Sequence, residues 1–357
     1  MDDTADQTAP PANAASGARP TLKTIAYMTG LGVTTVSRAL KDAPDIGQAT
    51  KERVRLVARE IGYRPNRAGV RLRTGKTNVI SLILSVEQDI LGLTSHLVYG
   101  ISEFLAGTPY HLIVTPYDLK RDPLDPVRYI VETGSADGLI FSRTEPNDAR
   151  VRYLAEHGFP FATHGRTEMG VEHPWFDFDN QRYAEIAVGR LAARGRRRLT
   201  LLPPPRHLTY RRHMTDGFEA SLARLGLSEA AVRDVTTDNS HEEIEAAVRR
   251  LMSGPGRPDG LVCGSASAAI AAIAGAEAAG LAIGTDFDVA VKESFDLMRK
   301  FRPPVIVIHE SFPNAGRGLA AAILRTIQGR PARELQTLDT PPDVGIPQSA
   351  ADLPRSA

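Results

Sequence analysis

From residue 78 onward the chain alternates short apolar runs with segments of helical spacing, and this alternation constrains the fold more than any other feature. The runs are NVISLIL, YHLIVTP, DGLIFSR, FPFATHG, RRLTLLP, DGLVCGS, DFDVAVK and VIVIHE. Between them, segments such as QRYAEIAVGRLAAR, TDGFEASLARLG, HEEIEAAVRRLM and SASAAIAAIAGAEAAG repeat apolar residues at the period of a helix. A strand followed by a helix returns to its sheet in parallel, so the pattern predicts parallel sheets covered by helices on both faces. A length of 357 residues asks for two or three packing units rather than one core. No GxGxxG follows the first run, so a dinucleotide site has no support.

Residues 21–76 are different. They carry twelve Lys/Arg against four Asp/Glu, a net +8 in a chain whose total is only +1. A basic head on a mildly acidic body is the electrostatic pattern of a nucleic-acid binder. The head reads as three short helices. Thr21 can cap the first, from Leu22 to about Met28, and Gly30 and Gly32 bracket a tight turn. The second is VTTVSRAL, residues 33–40, whose Val36, Ala39 and Leu40 fall on one face and leave Val33, Thr34, Ser37 and Arg38 on the other. A third runs from about Gln48 to Ile61 and is closed by Gly62. Two helices joined by a Gly-containing turn, with a third as support, make a helix-turn-helix. The second helix of such a unit enters the major groove, where Thr, Ser and Arg reach base edges and phosphates.

The stretch TLKTIAYMTGLGVTTVSRALKDAPDIGQATKERVRLVAREIGYRPN, with its TVSRAL, TKERV and IGYRPNRAGVRLRTGKT markers, resembles the DNA-binding head of the LacI/GalR family of bacterial regulators. The resemblance extends over most of the chain. It implies that Val33 and Thr34 set specificity, that Thr35, Ser37 and Arg38 contact phosphates and bases, and that Thr24, Tyr63 and Asn66 also meet DNA. It further implies a hinge that becomes helical on operator DNA and wedges Leu72 into the minor groove, with Arg71 and Arg73 neutralising phosphates. Such a wedge unstacks a base step and favours deformable sites. Two departures stand out: Gly32 replaces the family's usual Ser ahead of the recognition helix, and Gly69-Val70 replaces Ala-Arg in the hinge.

For the body the resemblance implies two α/β lobes like those of periplasmic sugar-binding proteins, joined by crossover strands, with an effector in the cleft. One lobe is expected at about 78–170 plus 305–330, the other at about 171–304 plus the remainder. Carried over position by position, the effector residues are Leu93, Leu97, Arg166, Asp179, Arg212, Ser265, Glu310 and Phe312. Arg212 comes from an Arg-x4-Gly-aromatic signature ending in Gly217-Phe218, and its guanidinium can hold hydroxyls or a carboxylate in bidentate fashion. Asp179 and Asn180 form the family's DN turn, with either a binding or a structural role. Ser265-Ala266 stands where relatives have an Asn/Ser-Asp pair, and KESFD replaces GYDD, leaving Ser294, Phe295 or Asp296 to face the ligand. Fewer acids, with Arg166, Arg212 and Lys292 at hand, tilt the expectation slightly toward an anionic sugar derivative, a neutral sugar being about as well supported.

Other chemistry finds little footing. TGKT at 74–77 lacks the earlier Gly of a phosphate-binding loop, and CGSAS at 263–267 lacks the glycines of a nucleophile elbow. Nine His show no metal spacing, no catalytic set emerges and no cofactor is expected. RRR at 196–198 reads as a solvated loop. A lone Cys263 fits a reducing cytoplasm, and no apolar run reaches the length of a membrane span. The expected organisation is a disordered tail over 1–20, a helix-turn-helix head over 21–65, a hinge and linker over 66–77, a two-lobe effector and dimerisation domain over 78–347, and a tail over 348–357. The expected function is that of a homodimeric regulator, most simply a repressor of carbohydrate genes, binding a near-palindromic operator and a sugar effector. A sugar-binding protein without regulation would leave the +8 head unexplained, and an enzyme would lack its catalytic groups.

Overall fold

The computed structural model describes residues 20–63, 75–85, 93–294, 297–302, 304–342 and 347–352. Residues Met1–Thr77 and Asn78–Ala357 form separate compact units.

In the first unit, α1 spans Leu22–Thr29, α2 Val33–Leu40 and α3 Gln48–Glu60. A reciprocal capping box starts α1, with Thr24 N–H donating to Thr21 Oγ1 at 3.3 Å and Thr21 N–H donating to Thr24 Oγ1 at 3.1 Å. Gly30 ends it in the left-handed region at φ 65°, a conformation that costs most other residues strain. Ile25, Ala26, Val36, Ala39, Val54 and Ala58 form the core of this small unit. The α2–α3 loop is tied by Asp42, whose carboxylate meets Lys51 Nζ at 3.1 Å and the Arg55 guanidinium at 2.9 Å. Those two cations hold the Asp42 carboxyl below its ordinary value, the Lys51 hydrogen bond contributing most.

The second unit contains two parallel sheets. The strands are β1 Val79–Ser85, β2 His111–Tyr117, β3 Gly138–Phe141, β4 Phe161–His164, β5 Trp175–Phe178, β6 Arg198–Leu202, β7 Ser228–Glu229, β8 Gly260–Cys263, β9 Asp288–Glu293, β10 Ile306–His309 and β11 Gln336–Asp339. The first sheet runs β11-β5-β4-β3-β1-β2, the second β10-β9-β8-β6-β7. Helices α4 Leu93–Leu105, α5 Asp125–Thr133, α6 Ala149–Glu156 and α12 Phe312–Ile327 serve the first lobe; α7 Asn180–Ala193, α8 Thr209–Leu225, α9 His241–Met252, α10 Ala266–Ala278 and α11 Leu297–Phe301 serve the second. The central strands of the two sheets are buried on both faces, and the period of two along β1 makes this plain. Ile80, Leu82 and Leu84 join one core with α4 and α12, while Val79 and Ile83 join another with α5 and α6.

All eight apolar runs are strands, but the lobe boundaries need correction. Trp175–Phe178, assigned to the second lobe, pairs with β4 in the first sheet. Ile306–His309, assigned to the first lobe, pairs with β9 in the second. Gln336–Asp339, placed with the second lobe, pairs with β5 and closes the first sheet. The chain therefore crosses between lobes next to Asp179, at Glu310 and after Asp339. The RRR segment is not a merely solvated loop. Arg196 Nε meets the buried Asp288 carboxylate at 2.7 Å, Arg194 reaches its other oxygen at 2.8 Å, and the Arg197 and Arg198 amides donate to Asp259. Among the described residues no helix is long and apolar enough to cross a membrane.

Candidate nucleic-acid interface and effector cleft

The exposed face of α2 follows from its sequence. Val36 and Ala39 are fully buried, which turns Val33, Thr34 and Arg38 to solvent and leaves Thr35 and Ser37 half-buried. Val33 keeps 41% of its surface exposed. Gly32 caps α2 without a side-chain hydrogen bond. The Arg38 guanidinium is held by Asp45 at 2.6 Å, an exposed pair worth about 0–1 kcal/mol that a phosphate can displace. Two further residues expected at the DNA also have roles within the head. The Thr24 hydroxyl is engaged in the capping box, and Tyr63 packs half-buried against the core of the head. Asn66, Arg71 and Leu72 lie outside the described residues, as does the rest of the expected hinge.

In the body, the crossovers gather charge. Lys292 Nζ, at the end of β9, meets Glu310 Oε2 at 2.9 Å and Asn180 Oδ1 at 2.9 Å, and lies 5.3 Å from the ring centres of both Phe178 and Tyr210. Asn180 also donates to Phe178 O at 2.9 Å, so it is a buried support for Lys292. Asp179 caps α7 by accepting from Arg182 N–H at 2.9 Å and accepts from the Thr340 hydroxyl at 3.2 Å, tying two crossovers together. Asp177 is buried 3.0 Å from Arg166 Nε, yet neither of these facing atoms has an aligned hydrogen-bond partner among the described residues. Burial pushes the Asp177 carboxyl up to about 7 against the opposing pull of Arg166 and Lys292, with Glu310 and Asp179 adding to the rise. Burial likewise lowers the pKa of His164, whose ring meets Phe312 edge-on at 5.5 Å.

Arg212 stands at the rim of the cleft on α8. It is 64% exposed and bridges to Glu168 of the first lobe at 2.6 Å. Beside it, Thr209 N–H and Oγ1 both donate to Thr144 O, at 2.9 and 3.1 Å, and Arg143 meets Asp238 at 2.6 Å. These contacts also join the two lobes. Gly217 explains the signature around Arg212: a Cβ there would sit 2.3 Å from Gln181 O, so α8 packs on α7 only with glycine.

The structure thus brings Arg166, Asp179 and Glu310 into one electrostatic neighbourhood, sets Phe312 beside it and Arg212 at its rim. It does not do so for the others. Leu97 is buried in the first-lobe core behind Phe312, and Ser265 caps α10 by accepting from Ala268 N–H at 3.1 Å. Leu93 opens α4, but its side chain lies outside the described residues. Ser294 donates to Glu310 O and accepts from Phe312 N–H, bracing the crossover; Phe295 and Asp296 are not described. Asp177, His164 and Glu168 went unnoticed in the sequence, where nothing separates a buried Asp in WFDFDN from a surface one. Among the described residues no group of three His, Cys, Asp or Glu could hold a metal ion.

Comparison with known proteins places these features. Residues 21–66 match the model for bacterial regulatory proteins of the lacI family, and residues 188–349 match that for a periplasmic binding protein-like domain. The HTH-type transcriptional regulator AglR of Rhizobium meliloti (strain 1021) is 32% identical over 316 residues, covering 85% of this chain and 86% of AglR. In fold, the chain is similar to the lac repressor dimer bound to operator and the anti-inducer ONPF, with TM-score 0.78 and 20% identity over 93% of this chain and 99% of that one. It is also similar to the transcriptional regulator CelR in its cellobiose complex, with TM-score 0.65 and 22% identity over 93% of this chain and 100% of that one.

Proposed function

The chain belongs to the lacI family of bacterial regulatory proteins, a family of helix-turn-helix transcriptional regulators, and from that premise we propose how it works. It binds a near-palindromic operator as a homodimer, and a saccharide held between the two lobes of the body controls its affinity for that DNA. The outward face of α2 reads the half-site: Val33 and Thr34 touch base edges, while Thr35, Ser37 and Arg38 hold phosphates and bases. Leu72, with Arg71, is proposed to enter the minor groove. In the body Arg166, Asp179, Glu310, Phe312 and Arg212 take the effector, with Asp177 added to the set.

One observation carries this reading. A solvent-facing row of Val, Thr and Arg on a helix-turn-helix belongs to the same chain as a two-lobe clamp whose crossovers converge on a buried charged cluster. A ligand that bridges the lobes acts on the crossovers directly, and its power over DNA binding is limited to its differential affinity for the two clamp states. CelR, a relative in fold, binds cellobiose, which supports a saccharide here. Repression is the simplest outcome for a protein that occupies an operator, and the work is done in the cytoplasm, where the DNA is. No catalytic role is proposed.

Selection of operator sequences from a randomised library, followed by a thermal-shift screen of sugars, sugar acids and sugar phosphates, tests both halves. A palindromic consensus and at least one stabilising saccharide are expected. Binding without sequence preference would remove the regulator's specificity from the account, and stabilisation by sugar phosphates alone would move the effector to the anionic class.

A further inference from the structure

The cleft holds a second set of side chains, apart from the charged cluster at the crossovers. Tyr117, Leu119, Arg143 and Glu145 of the first lobe face His207 and Leu208 of the second around a cavity of about 100 Å³. Resting on the proposed effector reading, we propose that this cavity is a second saccharide subsite, so that the effector has at least two sugar rings. Its volume equals roughly three waters, so a ring enters by displacing solvent and spreading the exposed wall formed by Leu119 and His207.

The chemistry of the walls selects a neutral polyhydroxyl ligand. Tyr117, Leu119 and Leu208 offer apolar surface to the C–H face of a sugar. The half-buried Glu145 carboxylate has no hydrogen-bond or ion-pair partner among the described residues, which leaves it as an acceptor for hydroxyls. The two arginines that line the cavity are engaged. Arg143 is paired with Asp238 at 2.6 Å, and Arg150 with Asp148 at 2.7 Å while it also donates to the Ser142 and Arg143 carbonyls. An anionic ring would therefore meet Glu145 with both lining arginines already paired to carboxylates.

The position fits a ligand that continues from the first subsite. Residues 143–146 separate the two regions: Arg143 and Glu145 line the cavity, while the Thr144 hydroxyl donates to Arg166 O at 3.1 Å. Leu208 is the N-cap of α8, four residues before Arg212. Arg143 also holds a left-handed backbone conformation, φ 58°, which a side-chain-bearing residue adopts at a cost and which clusters at ligand sites.

Calorimetric titration of the full-length protein with glucose, galactose, cellobiose, maltose, maltotriose and further members of a mono-, di- and trisaccharide panel tests this. At least one oligosaccharide should bind tenfold or more tightly than its own monosaccharide. Glu145→Ala and Leu119→Trp should each remove most of that advantage, a loss of about tenfold for a hydrogen bond to a charged group, while leaving monosaccharide affinity within about twofold. Thermal unfolding of each variant checks that it is folded. A monosaccharide that binds as tightly as any longer sugar would overturn the subsite and leave the effector reading standing, as would variants that spare the oligosaccharide's advantage. Failure of every saccharide to bind would overturn the effector reading and the subsite with it.

Discussion

At the scale of single residues, the account turns on which side chains face outward from α2 and which are buried at the crossovers. Thr34→Ala should change base preference at one operator position by about 1–3 kcal/mol, measured by selection from a randomised library; a uniform loss across all sequences would put Thr34 on the phosphates. This face was legible in VTTVSRAL because burial of Val36 and Ala39 fixes the direction of the other residues on a helix. Asp177 was not legible, because its burial is imposed by a strand pairing that no local pattern announces. Its raised value carries a second prediction. A carboxyl near 7 in the folded state and near 3.8 unfolded binds more protons when folded, so its contribution to stability is present at low pH and is lost as pH rises through that window. The Tm of the wild type minus that of Asp177→Asn should fall between about pH 5 and 7 and flatten above it. A constant difference across that range would mean that Asp177 is ionised at pH 5.

At the scale of elements, glycines separate what the pattern revealed from what it concealed. Gly217 was visible as part of a signature, but its purpose, the approach of α8 to α7, needed the Gln181 carbonyl in place. Gly217→Ala should destabilise the body by about 1–3 kcal/mol in chemical denaturation, because the added methyl meets backbone that cannot move aside locally; an unchanged midpoint would mean that the two helices separate freely. Gly32 is the opposite case. Its φ of −63° suits any residue and an added Cβ meets no atom nearer than 3.8 Å, so Gly32→Ser should stabilise the head by a few tenths of a kcal/mol through the missing cap. A loss of stability would show that the N-terminus of α2 has no room for it. The eight strands were legible since long apolar runs between helices admit little else. Strands β5 and β11 were missed because WFDF and QTLD are short and half polar, and their lobe membership depends on pairing between distant segments.

At the scale of the whole molecule, the sequence indicated a basic head and a two-lobe body but drew the lobes wrongly, since chain order says nothing about which sheet receives a crossover strand. The crossovers matter because they join the two lobes of the clamp. Arg212→Ala should abolish the response to effector while leaving effector-free operator affinity within about twofold, since the head is a separate compact unit. An unchanged ligand-induced thermal shift in that variant would remove Arg212 from the site. The most direct test of the central claim is a titration of the full-length protein on its selected operator, with and without a saturating saccharide that stabilises the body. The expected result is specific binding at least about a thousandfold tighter than to random DNA, shifted by roughly five-fold or more when the saccharide is present. A saccharide that binds the body and leaves operator affinity unchanged would contradict the account.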